Sequence, residues 1–152
     1  MASKTLRGSG AEPVKQLSIF TENKVGRLME VIKLFADREI HVVALTVLDT
    51  TDSSILRLVV DDPDGARQIL QELGMVFVET DLLVVELEAA TDLSKVLCAL
   101  LQGEINIHYT YAFLARPRDR AALALHLEDP EIAAQILTRN NFKVLCQRDI
   151  SR

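Results

Sequence analysis

Leu28–Leu48 reads LMEVIKLFADREIHVVALTVL, and Leu93–Phe113 reads LSKVLCALLQGEINIHYTYAF. Laid one above the other, the stretches put Val31 over Val96, Phe35 over Leu100 and Glu39-Ile40 over Glu104-Ile105. After a short insertion the register resumes, with Asp62-Pro63 over Asp129-Pro130 and Gln68-Ile69-Leu70 over Gln135-Ile136-Leu137. Self-similarity at this spacing means that one supersecondary unit has been used twice, so its reading decides the fold of the whole chain.

The first copy begins at Val14–Phe20, where Leu17 and Ile19 alternate with Gln16 and Ser18 as in a half-buried strand. A polar turn follows, and then Leu28, Val31, Ile32 and Phe35 recur at the spacing of an amphipathic helix. The β-branched run Ile40–Val47 and the run Ile55–Val60 read as a hairpin turning at Asp49–Ser54. Asp61-Asp62-Pro63-Asp64 places carboxylates and a proline where a helix begins. Ala66, Ile69, Leu70 and Leu73 line that helix, Gly74 suits the position after its C-cap, and Met75–Val78 is the fourth strand. The second copy repeats the order, with strands at 82–87, 105–114, 121–127 and 142–147 and helices at 92–102 and 130–139.

Each βαββαβ unit predicts a ferredoxin-like fold, so the class is α+β. Open sheet edges invite pairing, and only Glu79, Thr80 and Asp81 separate the two copies. The expectation is therefore two units side by side, forming one eight-stranded antiparallel sheet with four helices on one face. The boundaries are a flexible polar lead over residues 1–12, a first unit over 13–80 and a second over 81–152.

Composition excludes several classes of function. Lys and Arg number 17 against 22 Asp and Glu, a formal charge of −5, with no basic stripe to follow a phosphate backbone; no nucleic-acid partner is expected. No apolar run is long enough to span a bilayer, and the opening residues lack the apolar stretch of a secretory leader. A cytoplasmic protein without a membrane partner is the expectation, with Cys98 and Cys146 as buried small hydrophobes. His41, His108 and His126 have no acidic or cysteine partner at metal-ligand spacing, and neither a GxSxG elbow nor a phosphate-binding glycine loop occurs. No catalytic residue, metal or cofactor is assigned, and the chain is read as non-enzymatic. Tyr109, Tyr111 and Phe113 alternate on one strand, but the acidic charge makes a packed sheet face a better reading than an RNA platform.

The turn Asn23-Lys24-Val25-Gly26-Arg27-Leu28 is where chemistry can sit. Glycine at a strand-to-helix junction allows close approach to the backbone, and the free N–H groups of a helix start receive an anion. Asn23 read alone is equally a helix cap.

The pattern strand, N-x-x-G-x-L, helix, then EINI-type strand start resembles the ACT domain, a small-molecule-binding regulatory module. More narrowly, Val14–Ile150 resembles the small tandem ACT-domain proteins, on KQLSIFTENKVGRL, LDTTDSSILRLVVDDP and EINIHYTYAF. That resemblance implies an amino acid bound where two ACT units meet. Asn23 and Gly26 of the first unit would face Asn106 of the second, with Thr21, Glu22, Lys24, Val25, Arg27 and Leu28 shaping the pocket and Tyr109 and Tyr111 as candidate walls. It also implies regulation of a partner enzyme and a homodimer. The same correspondence puts Glu88 over Asn23, Thr91 over Gly26 and Asp92 over Arg27, so the reciprocal site would pair Glu88 with His41. A ligand carboxylate there meets like charge, and one competent site per chain is the expectation. The alternative is an interaction subunit of an amino-acid-metabolism enzyme, with vestigial sites in both halves.

Overall fold

The computed structural model describes residues 12–22, 26–50 and 52–151, which divide into two compact units over Lys15–Thr80 and Asp81–Ile150. The first contains β1 (Val14–Glu22), α1 (Arg27–Asp37), β2 (Val42–Asp49), β3 (Ser53–Val60), α2 (Pro63–Glu72) and the start of β4 (Val76–Leu87). β3 lies between β2 and β1, antiparallel to both, and β4 follows β1 in the strand order. Leu17 stands opposite Leu58 and Ile19 opposite Leu56. Because side chains alternate along a strand, these four point to one face. There they meet Val31 and Phe35 of α1 and Ala66, Ile69 and Leu70 of α2 in a closed core.

The second unit contains the remainder of β4, α3 (Asp92–Gln102), β5 (Ile107–Ala112), β6 (Ala121–Leu127), α4 (Pro130–Arg139), β7 (Val144–Leu145) and α5 (Gln147–Ile150). β4 pairs with β6 on one side and with β7 on the other, and β5 pairs with β6, all antiparallel. Its core repeats the first: Leu83, Val85, Val96, Leu100, Leu123, Leu125, Ala133 and Leu137.

Two expectations require correction. Among the described residues there are seven strands and five helices, not eight and four. Glu79, Thr80 and Asp81 contain neither glycine nor proline, so the last strand of one copy and the first of the next run on as one strand of 12 residues. At the other end β7 stops early, because the Asp149 carboxylate accepts from the Cys146 N–H at 2.9 Å and draws the chain into the single turn of α5. The cysteines also depart from expectation: Cys98 is exposed on α3 and Cys146 is only half-buried, its Sγ donating to Asp149 at 3.3 Å. Residues 1–11 of the expected lead lie outside the described residues, whereas Glu12 is held by its carbonyl, which accepts from Gln147 N at 3.0 Å.

The four longer helices end alike. After α1, α2, α3 and α4 one residue takes positive φ: Glu39 (59°), Gly74 (67°), Glu104 (58°) and Asn141 (66°). The following N–H then reaches back to close the helix, as Ile40 to Phe35 O at 2.8 Å and Met75 to Leu70 O at 3.0 Å. Ile105 reaches Leu100 O and Phe142 reaches Leu137 O, both at 3.0 Å. This paired-bond ending buries the next apolar side chain, which is how Ile40 and Ile105 enter their cores.

Candidate functional site

The predicted pocket residues fall around the end of β1 and the start of α1. Thr21 and Glu22 close β1, Gly26 is the N-cap of α1, and Arg27 and Leu28 begin the helix. Asn23, Lys24 and Val25 lie outside the described residues. Gly26 has φ of 94°, in the region that disfavours side chains, and beyond its chain neighbours no heavy atom of the described residues lies within 4 Å of where a Cβ would stand. Its carbonyl accepts from Glu30 N at 2.9 Å, fixing the first helical turn. No side chain among the described residues caps this N-terminus.

Beside this turn the first unit holds a cavity of ≈ 480 Å³ lined by Phe20, Thr21, Glu22, Arg27, Gly74, Met75 and Val76. Three of the predicted residues, Thr21, Glu22 and Arg27, therefore line it, whereas Gly26 and Leu28, both exposed, do not. Arg27 is half-exposed and holds Glu30 at 3.1 Å through Nη1. Phe20, Gly74, Met75 and Val76 were not anticipated. The available signal was Gly74, read only as the residue ending α2, although the chain leaving that turn runs into the start of β4.

Asn106 belongs to the second unit, just before β5. Its N–H donates to Glu128 Oε1 at 3.4 Å and its carbonyl accepts from Glu128 N at 3.1 Å. The first unit repeats this clasp with His41 and Asp61. His41 N donates to Asp61 Oδ1 at 2.8 Å, Asp61 N donates to His41 O at 3.1 Å, and His41 Nδ1 lies 2.7 Å from Asp61 Oδ2. The acidic partner of His41 was thus hidden by sequence distance. Of the adjacent aspartates, buried Asp61 secures the start of β2, while Asp62 accepts from Gly65 N at 3.1 Å and caps α2. Tyr109 and Tyr111 join a stacked group on the sheet, with Tyr109 over His126 at 4.7 Å between ring centroids.

The second unit's counterpart turn has a different construction. Ile19 and Val85 both face their cores, as do Val31 and Val96, so the path from strand to helix is one residue shorter in the second unit. In the tightened turn Asp92 Oδ2 accepts from Glu88 N at 2.9 Å and from Ala89 N at 3.2 Å. Glu88 itself is paired with Arg120. The like charge of Glu88 is thus locally countered, and the Asp92 carboxylate holds two N–H groups of the turn that precedes α3, whose N-terminus has no described side-chain cap. Among the described residues no group of three or more His, Cys, Asp or Glu could hold a metal ion, and no helix is long and apolar enough to cross a membrane.

Comparison with known proteins places this architecture. No curated protein matches the chain. The crystal structure of protein BT0572 from Bacteroides thetaiotaomicron superposes with a TM-score of 0.84 at 30% identity, over 94% of this chain and 99% of that one. The ligand-free regulatory subunit of aspartate kinase from Thermus thermophilus gives 0.59 at 17% identity, over 84% and 91%. Its counterpart from Thermus flavus gives 0.53 at 15%, over 84% and 92%. At these lower identities the likeness is one of fold. Residues 12–152 match the family model described as an ACT domain pair. With a family model spanning both βαββαβ units and a close structural counterpart over nearly its full length, the chain belongs to the family of ACT domain pairs.

Proposed function

We propose that this is a non-catalytic regulatory protein that binds an amino acid at the first-unit turn, with one competent site per chain. The observation that carries this reading is the contrast between the turns. The first has a cavity lined by Thr21, Glu22 and Arg27 and no described side-chain cap. In the second, the Asp92 carboxylate holds the Glu88 and Ala89 N–H groups of the turn before α3, although α3, like α1, has no described side-chain cap. The fold shared with regulatory subunits of aspartate kinase supports a regulatory role. Asn23 and Asn106 enter through the family resemblance, as polar groups for the ligand's charged end. A partner enzyme would read the ordering of the turn as a shift in population. Association as a homodimer and a cytoplasmic location are parts of the same proposal.

Calorimetric titration of the full chain against the proteinogenic amino acids tests it. Binding at one ligand per chain is expected, weakened by Asn23→Ala and Asn106→Ala and lost in Gly26→Val. The valine also imposes a backbone cost of about 1–2 kcal/mol at positive φ, so a thermal melt must show that it still folds. No binding by any amino acid, or binding indifferent to the three substitutions, contradicts the proposal.

A second reading draws on Asp92, whose carboxylate fills one of the two turns from within the chain. In an interaction subunit with vestigial sites, the first turn would be empty too. Such a subunit would co-purify with an enzyme whose activity ignores added amino acids.

A further inference from the structure

We infer that the first-unit site selects amino acids with apolar side chains, the side chain lying on Phe20, Met75 and Val76 and the charged end meeting Glu22 and Arg27. This rests on the amino-acid reading above and adds the class of ligand.

The cavity of ≈ 480 Å³ has the size of small-molecule sites, and its lining is divided. Phe20, Met75 and Val76 supply apolar surface. Glu22 and Arg27 supply one negative and one positive charge. Those charges match a zwitterion, whose ammonium suits the carboxylate and whose carboxylate suits the guanidinium fork. Arg27 engages Glu30 through Nη1, and a guanidinium has further donors to offer. With Glu22 and Arg27 engaged by the zwitterion, an extra charge on a ligand side chain would have no counter-ion among the described lining residues and would lose its hydration against Phe20 and Val76.

Phe20 is 41% exposed and Val76 68% exposed at the same place. Apolar surface gathered at a concave spot is the kind that a ligand covers. Gly74 keeps the rim free, with φ of 67° and, beyond its chain neighbours, no heavy atom of the described residues within 4 Å of an added Cβ. The second unit lacks this surface. In strand register Glu86 takes the place of Phe20 and Glu88 that of Glu22, while Asp92 replaces Arg27 and Lys143 replaces Val76. Phe142 keeps the apolar character of Met75, but Phe20 and Val76 have charged counterparts and Arg27 an acidic one, so the second unit does not repeat the pairing of apolar surface with Arg27.

Titration of the full chain with leucine, methionine, phenylalanine, glycine, aspartate and lysine tests the inference. At least one of the three apolar amino acids should bind about tenfold or more tightly than glycine, from burial of its side chain. Aspartate and lysine should bind more weakly still. Val76→Glu changes an exposed position and should leave the thermal melt in place while weakening the apolar ligand by about tenfold. Met75→Ala should weaken it as well. Tighter binding of aspartate or lysine, or unchanged affinity in Val76→Glu, overturns the side-chain class. If such a charged ligand is still sensitive to Asn23→Ala, the amino-acid reading survives alone; if nothing binds, both fall.

Discussion

Glu104 illustrates how one residue can hold a conformation that its own chemistry resists. It sits at φ 58° after α3, exposed, where glycine would carry no Cβ penalty. Substitution Glu104→Gly should therefore raise the stability of the chain by about 0.5–1 kcal/mol in urea unfolding, the relief of strain exceeding the added entropy of the unfolded chain. The two aspartates before the helix prolines make a sharper pair. Asp62 caps α2 by accepting from Gly65 N, whereas Asp129 has φ of 48° and makes no side-chain cap. Asp62→Ala should cost about 1 kcal/mol, and Asp129→Gly should cost nothing or stabilise. Sequence alone made these residues equivalent, because Asp-Pro looks the same whichever way the backbone turns. The hydrophobic positions were mostly legible: Val31, Phe35, Ile69 and Leu70, with Val96, Leu100 and Leu137, face their cores as the spacing requires, whereas Leu28 and Leu73, on the same stripes but at the helix ends, are exposed.

At the scale of elements, periodicity identified what each segment is better than where it stops. The helices at 92–102 and 130–139 and the strand at 121–127 match the reading residue for residue. β4 and β7 do not, since continuation or breakage depends on partners that no local pattern displays. Asp149, which ends β7, also gives the second unit an acid-sensitive lock. Partial burial pushes its carboxyl pKa up, but hydrogen bonds from Cys146 N and Sγ, with Lys143 and Arg118 nearby, together hold it below the usual carboxylate range. A depressed folded pKa contributes stability above the unfolded value, and that contribution is lost as the pH falls through the folded one. The native chain should therefore exceed Asp149→Ala in stability at pH 7, and the gap should narrow as the pH drops below about 3.9, measured by denaturant unfolding across the range. A gap that is constant with pH contradicts the lock. In the first unit Arg67 ties α2 to β4 through Glu79 at 2.7 Å, with Asp64 at 3.0 Å. Hydrogen bonds to both acids raise its pKa, so this tie persists wherever the carboxylates stay ionised.

The whole molecule is a repeat whose scaffold is kept and whose turns have diverged. The fold was legible because two copies of one hydrophobic pattern confirm each other. The candidate site was legible only along the chain: the turn from Thr21 to Leu28 stood out, but Phe20 and the Gly74–Val76 wall reach the cavity through folding. Likewise the closing role of Asp92 was invisible, because the shortened path to α3 appears only when the inward-facing residues of both cores are compared. The proposed function rests on that asymmetry: a cavity beside the start of α1, and in the counterpart turn two N–H groups held by the chain's own carboxylate. Two-dimensional amide NMR, with each proteinogenic amino acid added in turn to the full chain, tests it most directly. The account predicts that a binding amino acid shifts the amides of Gly26, Arg27, Gly74 and Met75 and leaves those of Glu88 and Ala89 in place. Shifts centred on Glu88–Asp92, equal shifts at both turns, or none with any amino acid would contradict it.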